Sequence, residues 1–560
     1  MPSVTESPQP VSLLWPHGVG KRAFHADTCH VGDLSLDRIV DMISFNGRHR
    51  DSIRAIFLDL CDDPVILRYR GDILENLLAS PELVAGLELA LPLLLDLTSY
   101  TQFKGAQDTP FHQTILRLGE LDIYIDTVQT LLAGLSRAPL AAEGLCTLRD
   151  DLARAADNPL FGELVKALPE LNARIRGLAS VTIGVNLDAQ LRPIEATLLS
   201  VNTEKFKDGS LIDRLLGKKS EFQGVGPLHS VPVKLSYVGD STSAPRENPL
   251  LFPLFRDLDK VLTEIVKPIA IALTHYARVN TRPLIRLEPE IIFYIGAVRL
   301  INLLKASGLP ACRPEIAPVD ERCCTLKDLV NVTLALRLIG GQPDLRTTIV
   351  PNDVSFDDAG RIFIVTGPNL GGKTTFTQAV GIAQVMMQAG LYVPTSSARM
   401  SPVDGLFSHF PVEERPDMEA GRLGEESQRL HAIFSAATRF SLVLLNESLS
   451  STSAGESLYL AQDIVRSLRL LGARAVFATH LHELAERIDA INRDTPGDSA
   501  VASLVSVVTH DDSSQERVRR TYKIIASPPR GVSYAREIAS RFGISFEQIA
   551  QTLRDRGVVK

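Results

Sequence analysis

The stretch RIFIVTGPNLGGKTT, residues 361–375, decides the fold. Ile362, Phe363, Ile364 and Val365 make a short, unbroken apolar run, the mark of a strand buried on both faces. Glycines follow at once: Gly367-Pro368-Asn369-Leu370-Gly371-Gly372-Lys373-Thr374 fits the spacing G-x-x-x-x-G-K-[ST]. Behind them Phe376, Val380, Ala383 and Met387 recur at helical spacing, which predicts a helix leaving the loop. Strand, glycine loop and helix in this order suit a phosphate cradle. Glycines let the chain curl so that backbone N–H groups converge on an anion, and the helix N-terminus adds partial positive charge. Lys373 would reach the terminal phosphates, and Thr374 would offer a hydroxyl to Mg²⁺. Gly367, Pro368, Asn369, Leu370, Gly371, Gly372, Lys373, Thr374 and Thr375 are therefore the candidate nucleotide-binding residues. Without a ligand the same residues would be a plain strand-to-helix turn.

The surroundings share this grammar. From about residue 329 onward, short β-branched runs alternate with helical segments, as in a mainly parallel sheet. One run, SLVLLNE, ends in Asn446 and Glu447. A carboxylate at a strand end can orient a water toward a terminal phosphate, or it can be an exposed acid with no task. Another run, ARAVFATH, ends in His480, which could contact that phosphate or be a satisfied surface or core histidine. His482 reads as solvent-facing. The tail, SYAREIASRFGISFEQIAQTLRDRG, reads as two short helices joined at Gly543 with Ser545 as N-cap.

Upstream the texture is different. Residues 39–178 are mostly helical, and Ile115, Leu118, Leu121, Ile125, Val128 and Leu132 predict one apolar stripe. Helix boundaries are expected at Gly71-Asp72, Ser80-Pro81 and Asn158-Pro159. At residues 179–201 Val181, Ile183 and Val185 alternate with Thr182 and Gly184, a strand signature, and NLDAQLRP turns the chain toward a second strand. Turn-rich sequence runs on to about residue 249. Helix returns at 254–277 with Leu258, Val261, Ile265 and Ile269 in register. A β-rich piece thus interrupts two helical stretches, as if long helices ran out to a tip and back.

Bulk properties narrow the classes. A chain of 560 residues implies three to five domains, and 45% hydrophobic with 22% charged residues is ordinary globular composition. A net charge of −7 argues against indiscriminate nucleic-acid binding but permits a local basic groove. Residues 204–222 carry Lys205, Lys207, Arg214, Lys218 and Lys219, which could contact phosphates or form a solvated loop. Six cysteines without a C-x-x-C pair read as buried, reduced thiols of a cytoplasmic protein. The opening MPSVTESPQP is polar, not a signal peptide. The apolar run 87–97 is too short to cross a membrane and sits among Glu82, Glu88 and Asp96, so no membrane partner is expected.

Taken together, TGPNLGGKTT, the segment QAGLYVPTSSARMSPVDGLFS, SLVLLNESLSSTS, FATHLHEL and PPRGVSYAREIASRFGIS resemble, in order and spacing, the MutS family of DNA mismatch-repair ATPases. The resemblance is specific over residues 354–543 and looser over the helical region. It implies a multidomain fold: a mainly α-helical core and lever region with a small β-rich clamp-like insertion, followed by an α/β P-loop ATPase domain of the ABC type. The corresponding boundaries are 1–178 for the first helical part, 179–250 for the insertion, 251–328 for the second helical part and 329–560 for the ATPase domain. It also implies ATP and Mg²⁺, a homodimer formed through the ATPase domains with Ser450 to Ser453 where subunits meet, action on DNA, and Glu447 and His480 as catalytic residues.

Three departures stand out. Asn446 replaces the family's aspartate near Mg²⁺, so Thr374 and Asn446 are the candidate metal residues and a weakened metal shell is expected. The family's Ser-Thr-Phe stretch, which reaches across the dimer, is replaced by EAGRLGEESQRLHAIF, where Arg422 and Ser427 could substitute or could merely cap the helix. The family's N-terminal mismatch-reading domain is expected to be absent, because core-like helical sequence begins within the first fifty residues. Phe161-Gly162-Glu163, the sequence nearest to a mismatch wedge, sits in a helix-start context. The expectation is an ATP-hydrolysing MutS-like protein acting on DNA. The alternative is a nucleotide-regulated scaffold with little hydrolysis that works through protein partners.

Overall fold

The computed structural model describes residues 11–19, 31–45, 47, 49–102, 109–176, 180–191, 193–202, 262–263, 266–341, 344–368, 370–411, 421–449, 453–510, 518–528, 543–544 and 546–557. The chain divides into two compact units, residues 1–88 with 134–148 and 286–560, and residues 89–133 with 149–285. The whole is a mix of helices and sheets, with two mixed sheets in the larger unit.

The smaller unit is built on long helices and a β-ribbon. In the helix Pro110–Leu135 the residues Leu118, Leu121, Ile125 and Val128 are buried, as their spacing predicts. The stripe then continues at Leu131 rather than Leu132, and Ile115 is only half-buried, because 3.6 residues per turn makes the buried position drift between three- and four-residue steps. Phe161, on the helix Pro159–Arg176, is buried edge-on against Tyr124 with ring centroids 6.0 Å apart. Strands β1 (Ser180–Leu187) and β2 (Pro193–Asn202) pair antiparallel, and Asp188 closes their turn by accepting the Leu191 N–H. The basic stretch 204–222 and the predicted helical positions Leu258, Val261 and Ile265 lie outside the described residues, while Ile269 is buried.

In the larger unit the helix Pro64–Ala79 starts at Asp63, whose carboxylate accepts the Val65 N–H at 2.8 Å. It runs unbroken through Gly71-Asp72, so no boundary lies there. Gly71 instead leaves room beside the Arg313 side chain, which pairs with Asp72 and Glu75. The breaks at Ser80-Pro81 and Asn158-Pro159 are present. The helix Pro81–Gln102 outruns the apolar segment 87–97. By length and composition Pro81–Thr101 passes as a membrane span, yet half of that window is buried inside the protein, with Leu83, Leu87, Leu94 and Leu97 on the covered face. Cys61 and Cys324 are buried as expected, but Cys146, Cys312 and Cys323 are half-buried, and all five are free thiols.

Two sheets organise the rest of this unit. The four-stranded sheet runs in the order β3 (Glu315–Ile316), β7 (Ser397–Met400), β4 (Cys324–Leu329), β5 (Asn352–Phe356). The six-stranded sheet runs in the order β12 (Val518–Ala526), β11 (Val501–His510), β6 (Ile362–Thr366), β10 (Arg474–Ala478), β9 (Leu442–Asn446), β8 (Leu406–His409). All its pairings are parallel except the edge strand β12. Every residue of β6, β9 and β10 is buried, because helices cover both faces. On one face Ile362, Ile364, Val443, Leu445, Ala475 and Phe477 pack against Ala461, Val465 and Leu468 of the helix Ala454–Leu471. On the other lies the helix Lys373–Gln388, where a Cβ at Gly381 would meet Leu444 Cδ1 at 2.6 Å. That helix is buried nearly all round, not only on the predicted face of Phe376, Val380, Ala383 and Met387. Register decides what comes next: Val365 lies beside Ala478, and Ala478 beside Asn446. The chain therefore leaves β6, β9 and β10 at one common edge.

Candidate functional site

The glycine loop leaves β6 at this edge. Gly367 has φ +138° and Gly372 φ +92°, conformations that favour glycine. Space is restricted as well: a Cβ at Gly367 would lie 2.7 Å from Ser506 Cβ, and one at Gly371 would lie 2.6 Å from Ser506 Oγ. Ser506, on β11, donates its hydroxyl to the Gly371 carbonyl at 2.7 Å. Leu370 also has positive φ and is 75% exposed at the tip of the loop. Asn369 lies outside the described residues.

Lys373 opens the helix and is buried. Its Nζ donates to the carbonyls of Gly367 and Pro368 at 2.9 and 3.0 Å and stands 3.5 Å from His480 Nδ1. Burial pushes this ammonium down to about 8, against the upward pull of the Glu447 carboxylate. Thr374 Oγ1 donates to Asn446 Oδ1 at 2.9 Å, so the two candidate metal residues are in direct contact. The Thr375 carbonyl accepts from Asn331 Nδ2 at 2.9 Å, which ties the helix's first turn to the N-cap side chain of the helix Val332–Leu338.

Across the edge, Glu447 Oε1 and His480 Nε2 are 2.8 Å apart. This hydrogen bond holds the Glu447 carboxyl below its ordinary range. Partial burial opposes it, and the charges of His480 and Lys373 assist it. Glu447 and His480 are both partly open to solvent. Lys373, Thr374, Asn446, Glu447 and His480 thus meet in one place, though residues from 373 to 480 supply them.

Other predictions fare differently. His482 is not solvent-facing: it is half-buried, its Nδ1 is shielded without a hydrogen-bond partner among the described residues, and burial lowers its pKa. His482 begins the helix His482–Glu486, whose Leu484 and Ala485 are buried, so it starts an element packed onto the core and not a free loop. Ser427 turns its hydroxyl onto the Leu423 carbonyl of its own helix. Nothing is described for the Arg422 side chain, for Ser450 to Thr452 or for Ser545. Ser453 caps the helix Ala454–Leu471, accepting the Glu456 N–H while bonding the Glu456 carboxylate at 2.8 Å. That capping box was readable in S-A-G-E.

Residues that the sequence did not suggest also line the site. Tyr522, on β12 with φ +56° and partly exposed, brings its ring toward the loop, with Cδ1 3.6 Å from a Cβ built on Gly372. Its carbonyl accepts from Asn352 Nδ2 at 3.2 Å. Behind Glu447, Glu426, His409 and Ser457 hold the turn. No local pattern marks these residues, because their partners lie far away in sequence.

The comparisons with known proteins fit this geometry. The family pattern described as MutS domain V matches residues 363–549, and the MutS2 N-terminal domain matches residues 62–307. Among similar proteins, "DNA mismatch repair protein MutS 2" of Halobacterium salinarum is 37% identical over 163 residues, 27% of this chain and 19% of its own length. "Endonuclease MutS2" of Thermomicrobium roseum is 31% identical over 207 residues, 37% of this chain and 24% of its own length. "DNA mismatch repair protein Msh6" of Gallus gallus is 31% identical over 241 residues, 40% of this chain and 17% of its own length. The chain thus matches only about a fifth of the length of these relatives. With one pattern covering the glycine loop, the strand-end acid and the histidine, and a second covering the helical stretch before them, the chain belongs to the MutS family.

Proposed function

We propose that this protein binds and hydrolyses ATP with Mg²⁺ and acts on DNA, in a repair or recombination-type transaction, as a homodimer formed through its nucleotide domains. The supporting observation is the convergence of Lys373, the Thr374–Asn446 pair and the Glu447–His480 pair at the carboxyl ends of parallel strands, where open α/β sheets bind ligands. The loop fits a phosphate chain: Ser506 leaves no room for side chains at Gly367 and Gly371, so the main chain stays bare there, and its cation donates to its own carbonyls and stands beside a histidine. The Thr374 hydroxyl and the Asn446 amide oxygen are hard oxygen donors of the kind Mg²⁺ takes. When bound, that ion would neutralise charge on the phosphates.

In this reading Lys373 exchanges its two carbonyl partners for phosphate oxygens. Glu447 accepts the proton of the attacking water, and His480 holds the Glu447 carboxylate and contacts the terminal phosphate. The exposed face of Tyr522 is available to stack on a base. Residues 1–178 and 251–328 would serve as the helical core and lever, 179–250 as the clamp and 329–560 as the ATPase domain, in the cytoplasm and without a membrane partner. Relatives named for DNA mismatch repair support the DNA substrate.

A second reading has its own observation. Asn446 brings no charge to the metal position, which favours a nucleotide-regulated scaffold that turns over slowly and acts through protein partners. Steady-state hydrolysis with single-stranded, duplex and branched DNA separates the two. Stimulation by DNA that Lys373→Ala abolishes supports the ATPase. Nucleotide binding without turnover on any DNA supports the scaffold. Equal nucleotide binding by wild type and Lys373→Ala removes both.

A further inference from the structure

The turn after Asn446 adopts a conformation that its own residues disfavour. Glu447 has φ +49° and Leu449 φ +66°, two left-handed non-glycine residues within three positions. Such geometry persists only where the surroundings over-determine it. Here they do. The Glu447 N–H donates to the Ala478 carbonyl at 2.8 Å. Ser448 Oγ lies 2.7 Å from His409 Nδ1, in the buried space at the end of β8. The Leu449 N–H donates to Glu426 Oε2 at 2.8 Å, and the Leu449 carbonyl accepts the Ser457 hydroxyl at 2.7 Å. Both main-chain groups of Leu449 are thus taken by side chains from two different helices, Gly421–Ala436 and Ala454–Leu471. Leu449 itself is buried in the core beneath the sheet.

We infer that Glu426 is a positioning residue for Glu447: its buried carboxylate fixes the left-handed turn through the Leu449 N–H and so aims the Glu447 side chain at His480 and Lys373. Glu426 is 7% exposed and 23 residues before Leu449. A buried carboxylate is poorly suited to a core unless it accepts hydrogen bonds, and a main-chain N–H in a strained turn needs a strong acceptor. Each explains the presence of the other. The helix that carries Glu426 thereby sets the aim of the hydrolytic carboxylate. The inference rests on the ATPase reading for its kinetic consequence but not for its structural one.

The experiment uses the full-length chain and two variants, Glu426→Gln and Glu426→Ala. Glutamine keeps a side-chain oxygen that can accept the Leu449 N–H, whereas alanine removes it. Two readouts are taken. One is ATP turnover with nucleotide affinity measured separately. The other is amide hydrogen exchange in the peptide spanning residues 447–449, which needs no turnover at all. Expected for Glu426→Ala is a fall in kcat of about 10–100-fold, the range of a misaimed catalytic group, with nucleotide Kd within about threefold of wild type and faster exchange at 447–449. Glu426→Gln is expected to recover most of kcat and the exchange protection. If Glu426→Ala does not fold, Glu426→Gln carries the test, since wild-type protection and kcat are required of it. Slow exchange at 447–449 in Glu426→Ala, or loss of protection in Glu426→Gln, overturns the inference. Absence of turnover in wild type with the exchange pattern as expected would leave the positioning role standing and refute the ATPase reading alone.

Discussion

The glycine loop and the turn after Asn446 emerge at the same edge of one sheet, on strands separated only by β10, yet they are held by opposite means. The loop is held mostly by its own residues, with Ser506 of β11 as its outside partner. Of its positive-φ positions Gly367 and Gly372 are glycines and only the exposed Leu370 is not, and its lysine bonds carbonyls five and six residues away. The turn is held from outside. Its left-handed positions are Glu447 and Leu449, each costing roughly 1–2 kcal/mol over glycine. Partners 8 to 39 residues away offset that cost. A net gain of about 1 kcal/mol per neutral hydrogen bond, and about 1.5–3 kcal/mol for one to a charged acceptor, is the right size to do so. The loop is therefore a binding element that needs little help, and the turn is an aiming element that the rest of the domain can adjust.

The largest expected effect tests this division directly. Glu447→Gln keeps the turn, its shape and the hydrogen-bonding oxygen facing His480, but it removes the proton acceptor. Turnover should fall by about 10²–10⁴-fold, while nucleotide affinity, a property of the loop, stays close to wild type. Single-turnover hydrolysis together with equilibrium nucleotide binding measures both. Unchanged hydrolysis would take the general base away from Glu447. A large loss of affinity would show that the turn also binds, and the contrast between the two regions would collapse.

Asn446 is where the regions touch, through the Thr374 hydroxyl. Asn446→Asp leaves an acceptor for that hydroxyl and adds a charge. A unit charge pair near 4 Å is worth roughly 4 kcal/mol gross at an effective dielectric of about 20, and much less after desolvation of a buried carboxylate. The expected outcome is an approximately tenfold lower half-saturating Mg²⁺ for ATP turnover, about 1.4 kcal/mol of that gross figure. Titration of Mg²⁺ at fixed ATP reads it. An unchanged midpoint would mean that residue 446 does not face the metal, leaving Thr374 to serve it from the loop alone.

The same contrast explains what could be read from the sequence. The loop was legible because its constraints fall on residue type at fixed spacing: glycine at the positive-φ positions 367 and 372, lysine at the helix start, apolar residues in the strand beneath. Glu447 and His480 were legible because each ends an apolar run. Glu426, His409, Ser457, Ser506 and Tyr522 were not, since each is defined by the partner it meets in the folded sheet, and a buried glutamate in G-E-E-S looks like any acid on a helix. His482 misled for the converse reason. It reads as surface, but in the fold it is half-buried with its Nδ1 shielded. In the helical unit, periodicity located the stripe at Leu118, Leu121, Ile125 and Val128 but could not choose between Leu131 and Leu132, which the helix's phase decides. Gly71-Asp72 looked like a helix stop only because the arginine that needs the space, Arg313, is remote in sequence.

The smallest expected effect is a pH dependence set within the loop itself. Lys373 is pushed down to about 8 from its ordinary 10.5 because its ammonium is buried among its own loop. Between those values the folded, ligand-free protein binds fewer protons here than the unfolded chain, so this group makes stability rise with pH over that window. Nucleotide binding works the other way. Phosphate oxygens at Nζ favour the charged form, so binding above about pH 8 must take up a proton, and affinity should fall by no more than about tenfold per pH unit. From pH 7 to about 8.5 the change is only about threefold to fourfold. Calorimetric titration near pH 8.5 in two buffers of different ionisation heat should report proton uptake that is lost in Lys373→Ala. If the uptake persists in that variant, the titrating group lies outside the loop, with the Glu447–His480 pair the next to examine. The turn would then carry part of the binding that the comparison assigns to the loop.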